Sequence, residues 1–425
     1  MTRILRSAGV LTLAATAALG ATACKMDVAN PSVIDASTFN PTADGQTLAL
    51  SAQTNMFIAY QSVALYGGLI SDEVWSGAAR LQTNRLAART FASTDDINTD
   101  FFAPLSLAIA SNENAITALQ TGAGAATDLN LARASMNLGF ALDLMAETMC
   151  AGVIQGGPSL TDAQLLDSAI TRFGNAITVA AAAGASGTSI LNQSRVGLAR
   201  AYLQRGNYTL AQQTAALVPA GFQANLVTSA NAATQQTPSG GIYLGNTFYG
   251  NTVSNQITTP QLYRIQDSRL TMDSVTRLGT KTLNGLKVVD QTKYPGYASP
   301  IRLASSLEAQ YISAEAQLHG SGNTAAALTL IASRRSAGGQ GLYAGGVDTL
   351  SVVTELLNQR ARDFWLEGKK LGDLRRNPSV SLASVLTDPV GAPYYVPARI
   401  ATFGSAFCAP IPPQETNANP NFTNP

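Results

Sequence analysis

Residues 199–215 read Ala199-Arg200-Ala201-Tyr202-Leu203-Gln204-Arg205-Gly206-Asn207-Tyr208-Thr209-Leu210-Ala211-Gln212-Gln213-Thr214-Ala215. Ala199, Tyr202 and Leu203 share one helical face, Gly206-Asn207 interrupts it, and Tyr208, Ala211 and Ala215 resume the same spacing. Small residues on both helices let their axes approach closely, and Gly206 relieves the turn, which is the plan of a tetratricopeptide helix pair. The plan recurs downstream. Leu303, Leu307, Tyr311, Ala314 and Leu318 spell a helix, Gly320-Ser321-Gly322-Asn323 a turn, and Ala325, Leu328 and Ile331 the returning helix. Upstream, Phe102 to Leu119 and Leu131 to Met149 step by three and four. After the Gly156-Gly157-Pro158 break, Leu166 to Ala180 does the same, opened by a capping box of Thr161 and Gln164. Each pair exposes an apolar face that only another pair can cover. The expected fold is therefore dominated by α-helix with minor β: tetratricopeptide-like pairs, irregularly spaced, in a right-handed superhelix.

With 425 residues the chain can build a large core. Charged residues make up only 12%, so its polar surface is mostly Asn, Gln, Ser, Thr and Gly. Its 27 basic and 26 acidic residues leave no general positive charge with which to hold nucleic acid. His319 is the one histidine, and Cys24, Cys150 and Cys408 are far apart, so zinc fingers and HExxH centres cannot be built. No metal or cofactor is expected. Between Pro219 and Pro300 the helical pattern gives way to Asn, Thr, Gly and Tyr, with Tyr243, Phe248, Tyr249 and Tyr263 among them. That stretch reads as loops with small strands, the kind of segment on which binding residues concentrate. A last helix starts near Ser351 and runs toward Glu367-Gly368, and the tail from Pro389 reads as extended.

The N-terminus reads as an address. Arg3 and Arg6 open it, Ala8 to Leu19 is apolar, and Ala21-Thr22-Ala23 precedes Cys24, the pattern of a secretory signal peptide over residues 1–23. Its removal leaves 25 basic and 26 acidic residues, a net charge of −1. Small residues followed at once by cysteine also suit a lipoprotein in which Cys24 is acylated, and acyl chains would hold a soluble body on a membrane. Cys150 and Cys408 then remain, either paired in an exported chain or as two buried thiols.

Several patterns invite a chemical reading. Trp75 with Asp72 could stack on a sugar ring and hold its hydroxyls. Glu308 and Glu315 lie seven apart on one helix face, as a glycosidase pair would, although packed acids on a helical surface explain them as well. Gly338, Gly339, Gly341, Gly345 and Gly346 follow a helix and lack a closing Lys-Ser/Thr, so they read as a helix stop and loop. His319 suits a helix end. Trp365, after Phe364, reads as core.

Taken in order, these features resemble the SusD/RagB family of nutrient-uptake outer-membrane lipoproteins. The resemblance rests on Cys24 after a signal peptide, Ser71-Asp72-Glu73, Gln266-Asp267-Ser268-Arg269-Leu270, and Ile301-Arg302-Leu303 through Tyr311 to Ala316. It continues in Arg360-Ala361-Arg362-Asp363-Phe364-Trp365-Leu366-Glu367-Gly368-Lys369-Lys370, Asp373-Leu374-Arg375-Arg376, and an ending from Pro410-Ile411-Pro412 to Asn419-Pro420-Asn421. Ala21 and Ser268 depart from the usual leucine and proline. The resemblance implies a lipidated tether over residues 24–42 and a body over 43–425. Within the body, helical pairs occupy about 43–218 and 301–376, a loop-rich ligand-facing part about 219–300, and a tail about 389–425. It further implies a non-enzymatic surface protein that binds glycan or peptide and passes it to a SusC-like TonB-dependent transporter. An exported tetratricopeptide-like scaffold for proteins is the alternative, and a secreted helical glycosidase comes third. Ligand contacts are expected at Asp72, Trp75, Tyr243, Phe248, Tyr249 and Tyr263.

Overall fold

The structure, a computed structural model, describes residues 40–96, 99–226, 257–275, 278–282, 284–295, 299–381 and 387–423. The signal peptide, Cys24, Tyr243, Phe248 and Tyr249 lie outside these residues. The helices are α1 Pro41–Ser62, α2 Leu81–Ala87, α3 Thr99–Leu119, α4 Leu129–Thr148, α5 Asp162–Ala182, α6 Thr188–Gln204 and α7 Tyr208–Ala215. They continue as α8 Ser306–Ser321, α9 Ala325–Ala337, α10 Thr349–Asp363, α11 Lys370–Arg376, α12 Pro378–Ser381 and α13 Pro413–Ala418. The body is mostly helical, as its spacing implies.

Each hairpin forms for a local reason. Thr161 and Gln164 complete their capping box at the start of α5, which satisfies two backbone donors that the first turn leaves without partners. Gly206 takes a φ of 81° between α6 and α7, a conformation that glycine adopts without strain. α4 is buried on every side from Ala134 to Thr148 and forms the axis on which α3, α5 and α6 pack. The absence of side chains sets how closely they pack. Phe173 of α5 lies edge-on to Phe140, with ring centroids 4.9 Å apart. A Cβ on Gly139 would stand 2.8 Å from the Phe173 ring, and one on Gly197 of α6 would meet Phe140 at 3.1 Å and Phe173 closer still. Gly197→Ala is therefore expected to cost about 1–3 kcal/mol through overpacking. It should appear in urea unfolding as a lower midpoint at unchanged slope.

The pair that begins at Ala199 is covered as the pattern requires. Ala199, Leu203, Ala211 and Ala215 form one buried cluster with Ala309, Ile312 and Ala316 of α8. The opposite face of α8, through Tyr311, Ala314 and Leu318, joins Ala327, Ile331, Val353, Leu357 and Phe364 in a second cluster.

Two helix boundaries differ from the sequence reading. Leu303 lies in a strand, β8 (Arg302–Ser305), and α8 begins only at Ser306, where the Ser305 hydroxyl accepts the Glu308 N–H at 3.2 Å. α10 stops at Asp363, because Leu366 and Gly368 take left-handed φ values of 58° and 68°. The Leu366 amide is bonded to a distant carboxylate instead of to the helix. Trp365 is in the core but off the helix.

Strands are short and come in antiparallel pairs: β1 (Trp75–Ser76) with β5 (Ile257–Thr258), β2 (Gly152–Val153) with β3 (Ser159–Leu160), β4 (Gln223–Asn225) with β8, and β6 (Met272–Asp273) with β7 (Asp290–Gln291). Cys150 and Cys408 form a disulfide across 258 residues with Cα atoms 4.9 Å apart. Flanking bonds, Cys150 N–H to Ala409 O and Ala409 N–H to Thr148 O, both 2.8 Å, fasten the tail to the end of α4. The tail is not simply extended, since it carries a bridge between Pro393 and Thr402 and the helix α13. Among the described residues no helix is long and apolar enough to cross a membrane.

Candidate functional site

At the end of α1 the helix widens into a π-turn over Val63–Gly67 and closes at Ile70. The Ser71 hydroxyl donates back to the Gly67 carbonyl at 2.7 Å, and the chain turns sharply through Asp72, whose φ is 59°. Such a conformation costs a non-glycine residue on the order of 1 kcal/mol, so its surroundings must impose it. Arg89, itself at a φ of 57°, donates to the Asp72 carboxylate at 2.6 Å. It also donates to the carbonyls of Ile70 (3.3 Å), Gly404 (3.2 Å) and Asp388 (2.5 Å). Its guanidinium lies over the rings of Phe403 and Phe407, 4.7 and 5.1 Å from their centroids. Glu73 fixes the other side. Its carbonyl accepts the Trp365 indole N–H at 3.0 Å and its carboxylate the Leu366 N–H at 3.1 Å. Burial pushes the Glu73 carboxyl up to about 7, and burial pulls the neighbouring Lys370 down to about 8 while each attracts the other's charge.

What this buried lattice presents is Trp75. One face of the half-buried indole is stacked on Tyr395, with centroids 4.4 Å apart and planes 20° from parallel. The Tyr395 hydroxyl accepts the Ser76 N–H at 2.7 Å, and Tyr394 and Phe403 back the stack. β1 is further held by β5, which sets Trp75 opposite Thr258, and by Asn284, whose amide donates to the Ser76 carbonyl at 3.3 Å. The Asp388 carboxyl adjoins the Trp75 indole, and burial together with the nearby Asp72 raises it to about 6. A rigid aromatic plane with polar groups at its edge suits the C–H face of a sugar and its hydroxyls.

Of the expected ligand contacts that lie among the described residues, only the half-buried Trp75 reaches the surface. Asp72 is fully buried, its carboxylate engaged by Arg89, and so serves as a strut. Tyr263 is also fully buried, stacked on Trp365 at 5.8 Å beneath the Lys370 ammonium at 4.9 Å. Tyr243, Phe248 and Tyr249 fall outside the described residues. Sequence reasoning missed Tyr395, Asn284 and Asp388. The Tyr394-Tyr395 doublet in a proline-rich tail was the available signal.

The remaining charged motifs are built into the interior. Glu308 meets Arg200 at 2.6 Å, Lys369 at 3.3 Å and Arg360 at 3.5 Å. Burial alone would raise its carboxyl, but these cations override it and hold it down at about 2. Glu315 forms a two-pronged pair with Arg376, 2.8 Å on each prong, which with a bond from Asn377 and the nearby His319 ring outweighs burial and keeps it below the usual carboxylate range. Two buried, firmly ionised carboxylates offer neither the raised pKa nor the access that a glycosidase acid needs. Arg376 also meets Asp373 at 2.8 Å, Arg302 meets Glu367 at 2.9 Å, and Arg375 meets Asp162 at 2.5 Å. The arginine-rich block is thus a structural ion-pair network. His319 stacks on Tyr208, with centroids 5.2 Å apart. Among the described residues no cluster of His, Cys, Asp and Glu could hold a metal ion. A separate groove of about 570 Å³ runs between α7, α8 and α9, lined by small and neutral residues such as Ala216, Ser306, Gln310, Ser313 and Thr329.

The architecture that supports this face is the SusD-superfamily fold. A SusD superfamily protein from Parabacteroides distasonis superimposes with a TM-score of 0.67 at 12% identity, over 89% of this chain and 98% of that one. Surface glycan-binding protein A from Bacteroides thetaiotaomicron gives a TM-score of 0.67 at 13% identity, over 89% and 97%. A SusD-like carbohydrate-binding protein from Bacteroides vulgatus gives 0.65 at 14%, over 90% and 98%. No family model and no curated protein matches the sequence.

Proposed function

We propose that this protein is a surface glycan-binding lipoprotein that captures oligosaccharide on the Trp75–Tyr395 face and passes it to a SusC-like TonB-dependent transporter. The observation that carries the reading is the half-buried, backed indole of Trp75 on a fold shared with surface glycan-binding proteins. In this account residues 1–23 are removed, an acylated Cys24 anchors the body to the outer membrane, and residues 24–42 form the tether. Tyr243, Phe248 and Tyr249, in the segment that leads into β5, are proposed as further contacts. The protein acts by binding and performs no catalysis.

Trp75→Ala removes the stacking plane. Glycan affinity, measured by calorimetry on an oligosaccharide panel, is expected to fall about 10- to 100-fold, since a buried aromatic anchor is worth roughly 1.5–3 kcal/mol. Unchanged affinity would refute the assignment. The neutral groove between α7, α8 and α9 favours a second reading, a scaffold for protein partners. Peptide binding in the same calorimeter that survives Trp75→Ala would support that one.

A further inference from the structure

Exposed cations without partners are few among the described residues. Among the described residues the exposed cations are Arg80, Arg205, Lys281, Lys287 and Arg399. Arg80 is paired with Asp96 at 2.5 Å and Arg205 with Asp167 at 2.9 Å. Among the described residues Lys281, Lys287 and Arg399 show no ion pair and no side-chain hydrogen bond, and each lies on a segment that holds Trp75 or its partner Tyr395.

Lys281 and Lys287 stand directly opposite each other across an antiparallel bridge. Like charges in that position repel, so the fold gains nothing from having both. The turn they enclose is docked on the site: the Asn284 N–H donates to Gly77 O at 3.2 Å and its side chain to Ser76 O at 3.3 Å. The carbonyl of Lys287 accepts the hydroxyl of Thr258, the residue paired with Trp75, at 3.0 Å. Arg399 lies in the loop closed by the Pro393–Thr402 bridge, the same loop that supplies Tyr395. Asp388 is half-buried against the indole edge. Three exposed cations therefore stand on the segments that hold a stacking plane, in a protein with few charges to spare.

We infer that the ligand is an anionic glycan, one bearing carboxylate or sulfate groups, whose rings stack on Trp75 while Lys281, Lys287 and Arg399 take its charges. This rests on the glycan-binding reading above and narrows it to a substrate class. The cations raise affinity and association rate at low salt and lose both as salt screens them.

The test uses matched ligands in calorimetry: oligogalacturonate against its neutral methyl ester, and dextran sulfate against dextran, at low and at high salt. At low salt the charged member of at least one pair should bind at least 10-fold more tightly than its neutral partner, and the difference should shrink at high salt. The exposed double variant K281A/K287A should lose most of this discrimination while melting like the parent, and Trp75→Ala should lose binding of both members. Neutral and charged forms binding equally would overturn the inference and leave glycan binding standing. Charged ligands whose affinity is unmoved by Trp75→Ala would overturn it too, because the attraction would then be surface charge alone. If no member of either pair binds, this inference fails, and failure of neutral oligosaccharides as well would remove the glycan reading beneath it.

Discussion

Replacing Glu308 by leucine is expected to lower the unfolding free energy by about 3–5 kcal/mol. Glu308 is wholly buried, and three cations from three elements converge on it: Arg200 of α6, Arg360 of α10 and Lys369 just before α11. Without the carboxylate, Arg200 retains Asp143 at 3.6 Å and Arg360 retains Asp373 at 2.7 Å, but Lys369 loses its direct ion pair and keeps the Tyr60 hydroxyl, the Arg302 and Leu303 carbonyls and the Phe364 ring. The loss is large because a dry interior cannot replace the missing charge with water. The pH dependence carries the same signature. A carboxylate held at about 2 in the folded protein, against its ordinary 4.5, contributes stability that is fully present above pH 4.5. That contribution, about 3 kcal/mol, is lost as pH falls toward 2. Urea unfolding between pH 5 and 2.5 should therefore be steeper in pH for the parent than for Glu308→Gln. A Glu308→Leu protein within 1 kcal/mol of the parent would contradict the assignment.

Arg89→Ala is expected to be comparably damaging, about 3–5 kcal/mol, and to act on binding as well. Arg89 is nearly fully buried and joins Asp72, Ile70, Asp388 and Gly404, and its cation packs over Phe403, one of the rings behind Tyr395. Removing it strands the Asp72 carboxylate at a left-handed turn three residues before Trp75. Arg89→Lys should not rescue, because a single ammonium cannot address several acceptors in the planar fork that guanidinium provides. Thermal unfolding and glycan calorimetry on both variants check this. A variant that melts below the parent yet binds glycan as tightly would separate the strut from the site and refute the coupling claimed here.

The helices were legible because their signals are local. Thr161 with Gln164, Gly206, and the alanines at three-and-four spacing from Ala199 to Ala215 act within a few residues, and each does in the structure what its chemistry suggests. Boundaries failed where distant partners intervened: α10 ends at Asp363 because Leu366 answers to Glu73, 293 residues away. The site was half legible for the same reason. Trp75 stands out by type, whereas Asp72 reads as a ligand contact because nothing in the spacing announces Arg89 as its partner. Tyr263 reads as one of the loop aromatics although it stacks on Trp365, and Tyr395 offers no signal beyond a doublet in the tail. At 12–16% identity to those solved structures, the chain holds the same fold with buried ion pairs and small-residue contacts at its centre.

Trp75 and Trp365 are the only tryptophans, one half-buried at the proposed site and the other sealed in the core away from ligand, so a ligand-induced change in intrinsic fluorescence is assigned to the site by comparison with Trp75→Phe. Titrating the protein with a glycan that binds in calorimetry should give a saturable change in emission with the same affinity, and that change should vanish in Trp75→Phe. Tight binding that leaves the Trp75 emission unaltered would mean that the ligand sits elsewhere.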